Sequence, residues 1–287
     1  MCGILGSVNK PFDLATLDLM EHRGPDDFGL DIFSVQGHTV HLGQRRLSIL
    51  DLSAAGHQPM ISYCGKFALI FNGEIYNHKE LRAKLPQESH FNGHSDTETI
   101  LHYLIHFGPA GVVDFNGIFA IGFLDMEQNA LTLARDPFGI KPLYLAEHEN
   151  QVIFSSEIRP IKASLGTPKV NEQAMASLLR LRYNASPKTL FEKIEKLPPG
   201  HMVTIKLGYH SLEKEEHYFA NPLPKVFPGQ KGNLVEMYGK HLETAVKRQM
   251  LSDVEVGVLL SGGIDSAVIA ALAKKQGNGP IKAFTIG

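Results

Sequence analysis

The sequence predicts an α+β domain of antiparallel sheets with helices on their outer faces, followed by the beginning of a parallel α/β unit. Over roughly the first 210 of 287 positions, short apolar runs alternate with turn residues and few helices come between them. A stretch rich in proline and glycine, NPLPKVFPGQKGN at 221–233, then breaks this texture. Beyond it come an apolar strand, a glycine-rich turn, a helix and a second apolar strand, the order of a parallel α/β unit.

The elements follow in order along the chain. Cys2-Gly3-Ile4-Leu5-Gly6 reads as an opening strand, and further strands are predicted at 67–71, 118–124, 130–134, 143–145 and 152–154. Each is short, rich in β-branched or aromatic residues, and most are bracketed by Gly, Asn or Asp. A helix is predicted at 13–22, where Leu14, Leu17, Leu19 and Met20 share a side. Asn77 is placed to cap a second helix, to about position 85. Ser95 with Glu98 three residues later reads as a capping box for a third, which Gly108-Pro109 ends. A fourth is predicted from 171 to about 181. After the proline-rich stretch the pattern gives a helix at 234–251, a strand at 254–260, a helix at 265–276 and a strand at 281–286. The expected division is a first domain at 1–210, a linker at 211–233 and a second domain at 234–287. Two strands and their helices are marginal for burying a core, so the second domain reads as incomplete.

Composition narrows the function. Lys plus Arg is 28 against 30 for Asp plus Glu, a net charge near −2 that gives no electrostatic reason to expect nucleic acid or an anionic membrane as partner. No apolar run approaches the roughly 20 residues of a membrane span, and the N-terminus lacks the basic and apolar regions of a secretory signal. Two cysteines, Cys2 and Cys64, cannot form the disulfide framework of a chain this long. A cytoplasmic enzyme or binding protein is the expectation.

Cys2 directly follows the initiator methionine. Removal of Met1 would leave one residue with both a thiol nucleophile and an α-amine, whose ordinary pKa of about 7.7–8.0 suits a general base at neutral pH. Further along come His22-Arg23-Gly24-Pro25-Asp26-Asp27, Arg45-Arg46-Leu47-Ser48-Ile49, Phe71-Asn72-Gly73-Glu74-Ile75-Tyr76-Asn77 and Ser95-Asp96-Thr97-Glu98. After these come Ala134-Arg135-Asp136-Pro137-Phe138-Gly139, Lys141-Pro142-Leu143-Tyr144 and Ser156-Glu157-Ile158. In order, spacing and identity the first 200 or so residues resemble the class II glutamine amidotransferases, whose N-terminal-nucleophile domain hydrolyses glutamine to glutamate and ammonia. That resemblance implies a four-layer αββα sandwich with Cys2 as nucleophile. Attack on a carboxamide creates an oxyanion that needs fixed donors. Asn72 and Gly73 suit this task, and the matching residues form the family's oxyanion hole. A guanidinium suits the substrate carboxylate and a buried carboxylate its ammonium. By resemblance these roles fall to Arg46, with Arg45 its competitor, and to Asp96 with Glu74.

The second signal is Leu259-Leu260-Ser261-Gly262-Gly263-Ile264-Asp265-Ser266. A strand end, two glycines and a helix N-terminus make an anion cradle, and no Gly-Lys-Ser/Thr follows to make it a Walker A loop. Ser-Gly-Gly-X-Asp-Ser resembles the pyrophosphate loop of the ATP pyrophosphatases. C-terminal to a glutaminase, it is similar to the asparagine synthetase family. The resemblance implies nucleotide contacts at Leu260, Ser261, Gly262, Gly263, Asp265, Ser266 and Ile286. It also implies ATP with Mg²⁺, although no metal-ligand cluster is visible in the sequence. The expected partners are glutamine, ATP and aspartate, with a homodimer allowed by the family and neither nucleic acid nor membrane. The implied reaction is ATP, aspartate and glutamine giving asparagine, glutamate, AMP and pyrophosphate. The chain as given is expected to perform the glutaminase half and to lack a complete synthetase half. Two alternatives are an asparagine-synthetase-like amidotransferase acting on a different carboxylate and a truncated remnant without catalysis. His102 with His106, and His90 with His94, read as ordinary histidines rather than metal ligands, and Cys64 as a small buried hydrophobe.

Overall fold

A computed structural model of the protein describes residues 1–209, 211–220, 233–277 and 279–285. The chain divides into two compact units, Met1–Pro222 and Leu223–Gly287. The first unit begins β1 (Gly3–Val8), α1 (Leu14–Asp18), β2 (Asp27–Val35), β3 (His38–Arg46), β4 (Met60–Ile61), β5 (Phe67–Ile75), α2 (His78–Arg82) and α3 (Asp96–Phe107). It continues with β6 (Gly117–Asp125), β7 (Ala130–Arg135), β8 (Tyr144–His148), β9 (Gln151–Ser155), α4 (Ile158–Leu165), α5 (Glu172–Leu181), β10 (Ile194–Lys196), β11 (His201–Leu207) and β12 (Leu212–Tyr218).

These strands form two six-stranded antiparallel sheets, ordered β10-β8-β9-β1-β3-β2 and β12-β11-β7-β6-β5-β4. Alternation of side chains along each strand sorts the apolar residues into three layers. Ile4, Val8 and Leu42 of one sheet meet Ile70, Leu133 and Val203 of the other in the central layer. From the opposite face of the first sheet, Leu5 and Ile153 pack with Leu17 of α1, Met20 just past it, and Ile161 of α4. The opposite face of the second sheet sends Leu69, Phe71 and Ile121 against Ile100, Leu101 and Leu104 of α3. The result is the αββα sandwich.

Local rules explain most elements and their differences from expectation. Ser95 caps α3, its side chain accepting from the Glu98 N–H, but Glu98 does not close a capping box; its carboxylate accepts from the N–H groups of Asn92 and Gly93 instead. Asn77 stands at the N-cap of α2 without capping it, because its amide bonds the Asp114 carbonyl and the Asn116 N–H. The helix predicted at 13–22 stops at Asp18 and a single 3-10 turn, Glu21–Arg23, follows. The hairpin of β2 and β3 has no counterpart in the strand prediction. β3 buries His41, Gln44, Arg45 and Arg46, so it carries no clean apolar alternation. β12 falls inside the stretch read as linker, yet it pairs along its length with β11 and extends the first unit beyond position 210. An edge strand exposed on both faces can be written in charged residues, here LEKEEHY, and gives no hydrophobic signal.

The second unit contains α6 (Leu234–Gln249), β13 (Gly257–Leu259), α7 (Ile264–Gln276) and β14 (Lys282–Phe284). β13 and β14 pair in parallel, as the sequence predicts. Their burial departs from it: the core among the described residues is the small cluster of Val246, Val258 and Ala273, while Leu259 and Phe284 are exposed. No helix among the described residues is long and apolar enough to cross a membrane.

Phe154, fully buried on β9, fills the central layer over Gly6, where even a Cβ would come within 2.2 Å of the ring. Phe154→Ala should therefore open a cavity and cost about 3–5 kcal/mol of unfolding free energy, read as a lower midpoint in urea denaturation.

Candidate active site

The first unit gathers its polar residues at one end of the inner strands. Cys2 immediately precedes β1, a strand buried along its whole length and paired on both edges. Its Sγ lies 3.4 Å from the Leu47 N–H that donates to it and 3.7 Å from the Leu47 carbonyl that can accept its proton. Burial pushes the thiol pKa up; the Leu47 N–H, the chain-terminal amine, Arg46 and Lys141 oppose that rise. The Met1 amine is held below its ordinary value, chiefly by burial, with Lys141 and Arg23 acting in the same direction.

Arg45 and Arg46 end β3 and point to opposite faces, as successive strand residues must. Arg45 pairs with Asp18 at 3.0 Å and Glu21 at 3.6 Å and lies over the Phe28 ring. Arg46 turns into the pocket. Its guanidinium is held from behind by three main-chain carbonyls, Ser53 O and Leu50 O at 3.2 Å and Asp51 O at 2.5 Å. Carbonyl acceptors of this kind orient a guanidinium without neutralising it.

Asn72, Gly73 and Glu74 lie on β5. Asn72 is fully buried, with Nδ2 3.4 Å from Ser156 Oγ and Oδ1 without a hydrogen-bond partner among the described residues. At Gly73 a Cβ would stand 2.2 Å from the Ile118 carbonyl of the neighbouring strand, so close backbone approach requires glycine there. Asp96 opens α3. Its carboxylate accepts from the Ile75 N–H at 2.9 Å and from the Thr97 N–H at 2.8 Å. Burial pushes its pKa up to about 7, helped by the Glu74 charge and opposed by those two amides. Burial also raises Glu74, against the pull of Lys141.

All six predicted glutaminase-site residues, Cys2, Arg46, Asn72, Gly73, Glu74 and Asp96, line a single cleft. Lys141 lines it too, a buried cation whose pKa burial lowers and whose charge faces Glu74 and Cys2. The sequence carries this residue inside a family-like motif but attaches no role to it. The structure supplies the reason for its position. Buried Asp136 accepts from the N–H groups of Phe138 and Ile140 at 3.0 Å and of Lys141 at 2.9 Å, fixing the loop that presents Lys141.

The second predicted set also comes together. Leu260, Ser261, Gly262 and Gly263 connect β13 to α7, with Asp265 and Ser266 in the first turn of the helix. Gly262 has φ +82°, the left-handed region that favours glycine. Ser266 Oγ accepts from the Ser261 N–H at 3.3 Å, lies 3.1 Å from Ser261 Oγ and donates to the Gly263 carbonyl. No side chain caps the helix at Gly263, so its first-turn amides lack a side-chain acceptor. Ile286 lies outside the described residues. Among the described residues no group of three or more His, Cys, Asp or Glu is placed to hold a metal ion. His102 packs on the Phe91 ring and His106 on Phe107. Cys64 is exposed rather than buried, its Sγ 3.3 Å from Ser62 Oγ in a surface turn.

The four-layer αββα sandwich is the architecture of the N-terminal-nucleophile fold class. The chain belongs to the glutamine amidotransferase domain family, which it matches over residues 1–219, and residues 237–287 match the asparagine synthase family. It is 34% identical over 298 residues to asparagine synthetase [glutamine-hydrolyzing] 1 of Bacillus subtilis, covering 100% of this chain and 46% of that protein. To asparagine synthetase [glutamine-hydrolyzing] 2 of the same organism it is 35% identical over 297 residues, covering 96% of this chain and 39% of that one. The chain thus spans about half the length of the curated relatives it matches, or somewhat less. Its fold is similar to that of the glutamine phosphoribosylpyrophosphate amidotransferase of B. subtilis, with TM-score 0.53 at 18% identity over 99% of this chain and 65% of that structure.

The contact at Gly73 generates a prediction. Gly73→Ala should displace β5 from β6 at the cleft and cost about 1–3 kcal/mol of unfolding free energy, read as a lower midpoint in urea denaturation. Circular dichroism should still report a folded domain.

Proposed function

We propose that this chain hydrolyses glutamine at Cys2, as the glutaminase part of a glutamine-dependent asparagine synthetase. The observation that carries this reading is the convergence of Cys2, Arg46, Asn72, Gly73, Glu74 and Asp96 on one cleft from four separate parts of the sequence.

On this reading Met1 is removed and the Cys2 α-amine becomes the general base. The thiol gives its proton to that amine as sulfur attacks the γ-carboxamide carbon, and the carbonyl oxygen becomes an oxyanion. Asn72 Nδ2 and the Gly73 peptide N–H stabilise it. The protonated amine then donates to the departing ammonia, and water cleaves the thioester to glutamate and the free thiol. The hydrogen bonding around Asn72 favours its role. Ser156 Oγ already accepts from the Ile4 N–H at 3.1 Å. With the Asn72 amide reversed, Ser156 donates to Oδ1, which is otherwise orphaned and buried, and Nδ2 is released for a ligand. Arg46 receives the substrate α-carboxylate in paired hydrogen bonds, and Asp96 with Glu74 receives the α-ammonium.

The loop of Leu260, Ser261, Gly262, Gly263, Asp265 and Ser266 is proposed as the cradle for the ATP phosphates, through main-chain amides and the helix N-terminus. Ile286 is kept as a proposed adenine contact. Synthesis of asparagine from aspartate, ATP and ammonia is assigned to the full-length enzyme type. Magnesium would accompany the nucleotide as the counter-ion of its phosphates. A cytoplasmic location accords with this reading, and the homodimer remains a family expectation that sedimentation would read.

Cys2→Ala should abolish glutamate release from glutamine, and mass spectrometry should find Cys2 as the first residue of the active chain. Retained turnover in Cys2→Ala would refute the reading. The elevated Asp96 pKa gives a pH signature. Below pH about 7 its carboxyl is protonated before the substrate arrives, and an ammonium binds the ionised form, so binding must expel the proton. KM for glutamine should therefore fall about tenfold per pH unit as pH rises toward 7, then level off. Glutaramate, which lacks the amine, should show no such step.

A further inference from the structure

The loop after β3 does more than present Leu47 to the thiol. Its residues Leu50, Asp51 and Ser53 supply the three carbonyls that grip the Arg46 guanidinium. Ser48 N–H ties the start of that loop to Asp26 at 2.8 Å, and the Asp51 side chain ties its far end to the segment before α3. Asp51 is buried, with φ +56°, a left-handed backbone that favours few residues beyond glycine, asparagine and aspartate. Its Oδ1 accepts from the Ser53 N–H at 3.2 Å and from Ser53 Oγ at 2.5 Å. Its Oδ2 accepts from the His94 N–H at 2.8 Å, with His94 Nδ1 at 3.5 Å. Burial pushes its pKa up, but the Ser53 hydroxyl, the His94 and Ser53 amides and the His94 ring together hold it below the ordinary carboxylate value. One carboxylate therefore staples the carbonyl cage of Arg46 to the segment that leads into α3.

The two loops do not depend on it equally. The 92–95 segment has independent anchors: Glu98 accepts from Asn92 and Gly93, and Arg82 donates to the Gly93 and Ser95 carbonyls. Within 50–53 the Arg46 contacts and the Asp51 carboxylate are joined by a local turn, in which the Ser53 carbonyl accepts from the Gly56 N–H at 3.2 Å and Ser53 Oγ from the Ala55 N–H at 3.2 Å. We propose that Asp51 is a positioning residue for recognition of the substrate α-carboxylate, acting through the carbonyl cage that aims the Arg46 guanidinium into the cleft. The proposal rests on the reading that Arg46 receives that carboxylate.

The test is Asp51→Asn in the whole chain. Asparagine tolerates the left-handed backbone and keeps the shape, but turns an NH₂ toward one set of donors and breaks one arm of the staple. KM for glutamine should rise about tenfold, as for a weakened charge-assisted hydrogen bond, with kcat changed less than about twofold. For 4-aminobutanamide, which has the γ-amide and the amine but no carboxylate, kcat/KM should not change. Ser53→Ala, which removes one donor to Asp51 and disturbs the fold less, should shift the glutamine KM in the same direction by a smaller factor. In an Arg46→Gln background Asp51→Asn should add nothing further. An unchanged glutamine KM in both variants, or an equal loss with both substrates, would overturn the proposal while leaving the glutaminase reading intact. A wild-type chain that does not hydrolyse glutamine would overturn that reading itself, and this proposal with it.

Discussion

The site depends on the burial of β1. A six-residue strand that opens the chain, paired with β3 on one edge and β9 on the other and buried on both faces, has no freedom of register. A slip by one residue would send Leu5 into the central layer and Ile4 toward α1, so the hydrophobic pattern fixes where residue 2 emerges. The pairings then bring the rest of the cleft to it. Gly3 opposite Arg45 delivers Arg46 and Leu47 beside the thiol. Leu5 opposite Ser155 delivers Ser156, which accepts from the Ile4 N–H and stands within reach of Asn72. Precision at the cleft is therefore inherited from core packing.

Electrostatics impose the complementary constraint. The cleft brings two carboxyl groups and two cationic side chains out of bulk water, where each isolated charge costs several kcal/mol unless it is compensated. Main-chain groups provide much of that compensation: amides for Asp96 and carbonyls for Arg46. What remains unbalanced appears as raised pKa values at Asp96 and Glu74 and a lowered one at Lys141. A free α-amino acid carries one carboxylate and one ammonium. On the proposed reading its charges relieve such an arrangement, with a negative group offered to Arg46 and a positive one to Asp96 and Glu74.

Much of this was legible in the sequence, and the exceptions have physical causes. The run around Phe71 announces β5 because its face toward α3 and its face toward the other sheet are both apolar. α3 is announced by Ser95 and stopped at Gly108-Pro109. β3 is illegible because its buried residues are partly polar and satisfied by tertiary contacts, such as Gln44 Nε2 donating to the Phe71 carbonyl. β12 is illegible because an edge strand needs no apolar face. The choice of Arg46 over Arg45 rests on motif likeness alone; in the structure the two-residue period of β3 turns Arg46 into the cleft, while acid partners hold Arg45 elsewhere. Lys141 and Asp51 went without a role because each acts through a loop conformation, and a loop's main-chain hydrogen bonds leave little trace in composition or periodicity.

The two predicted sites are built on opposite principles. In the first unit the proposed functional groups, apart from the Cys2 amine and the Gly73 N–H, are side chains fixed by burial: Asn72 in a fully buried strand, Asp96 at a buried helix start, Arg46 inside a cage of carbonyls. Such a site is only as accurate as its packing, and a change at a distant core position reaches it through strand register. The loop at Gly263 asks less of its surroundings. Its donors are main-chain amides at the exposed start of α7, and a left-handed Gly262 with two mutually bonded serines is enough to shape it. A phosphate carries its own charge and symmetry, so a cradle of amides can bind it without the side-chain register that distinguishes one end of an amino acid from the other. The division follows the chemistry proposed for each unit. Discrimination of a small zwitterion needs a rigid sandwich around it, whereas a polyanion can be held by a strand, a turn and the first turn of a helix.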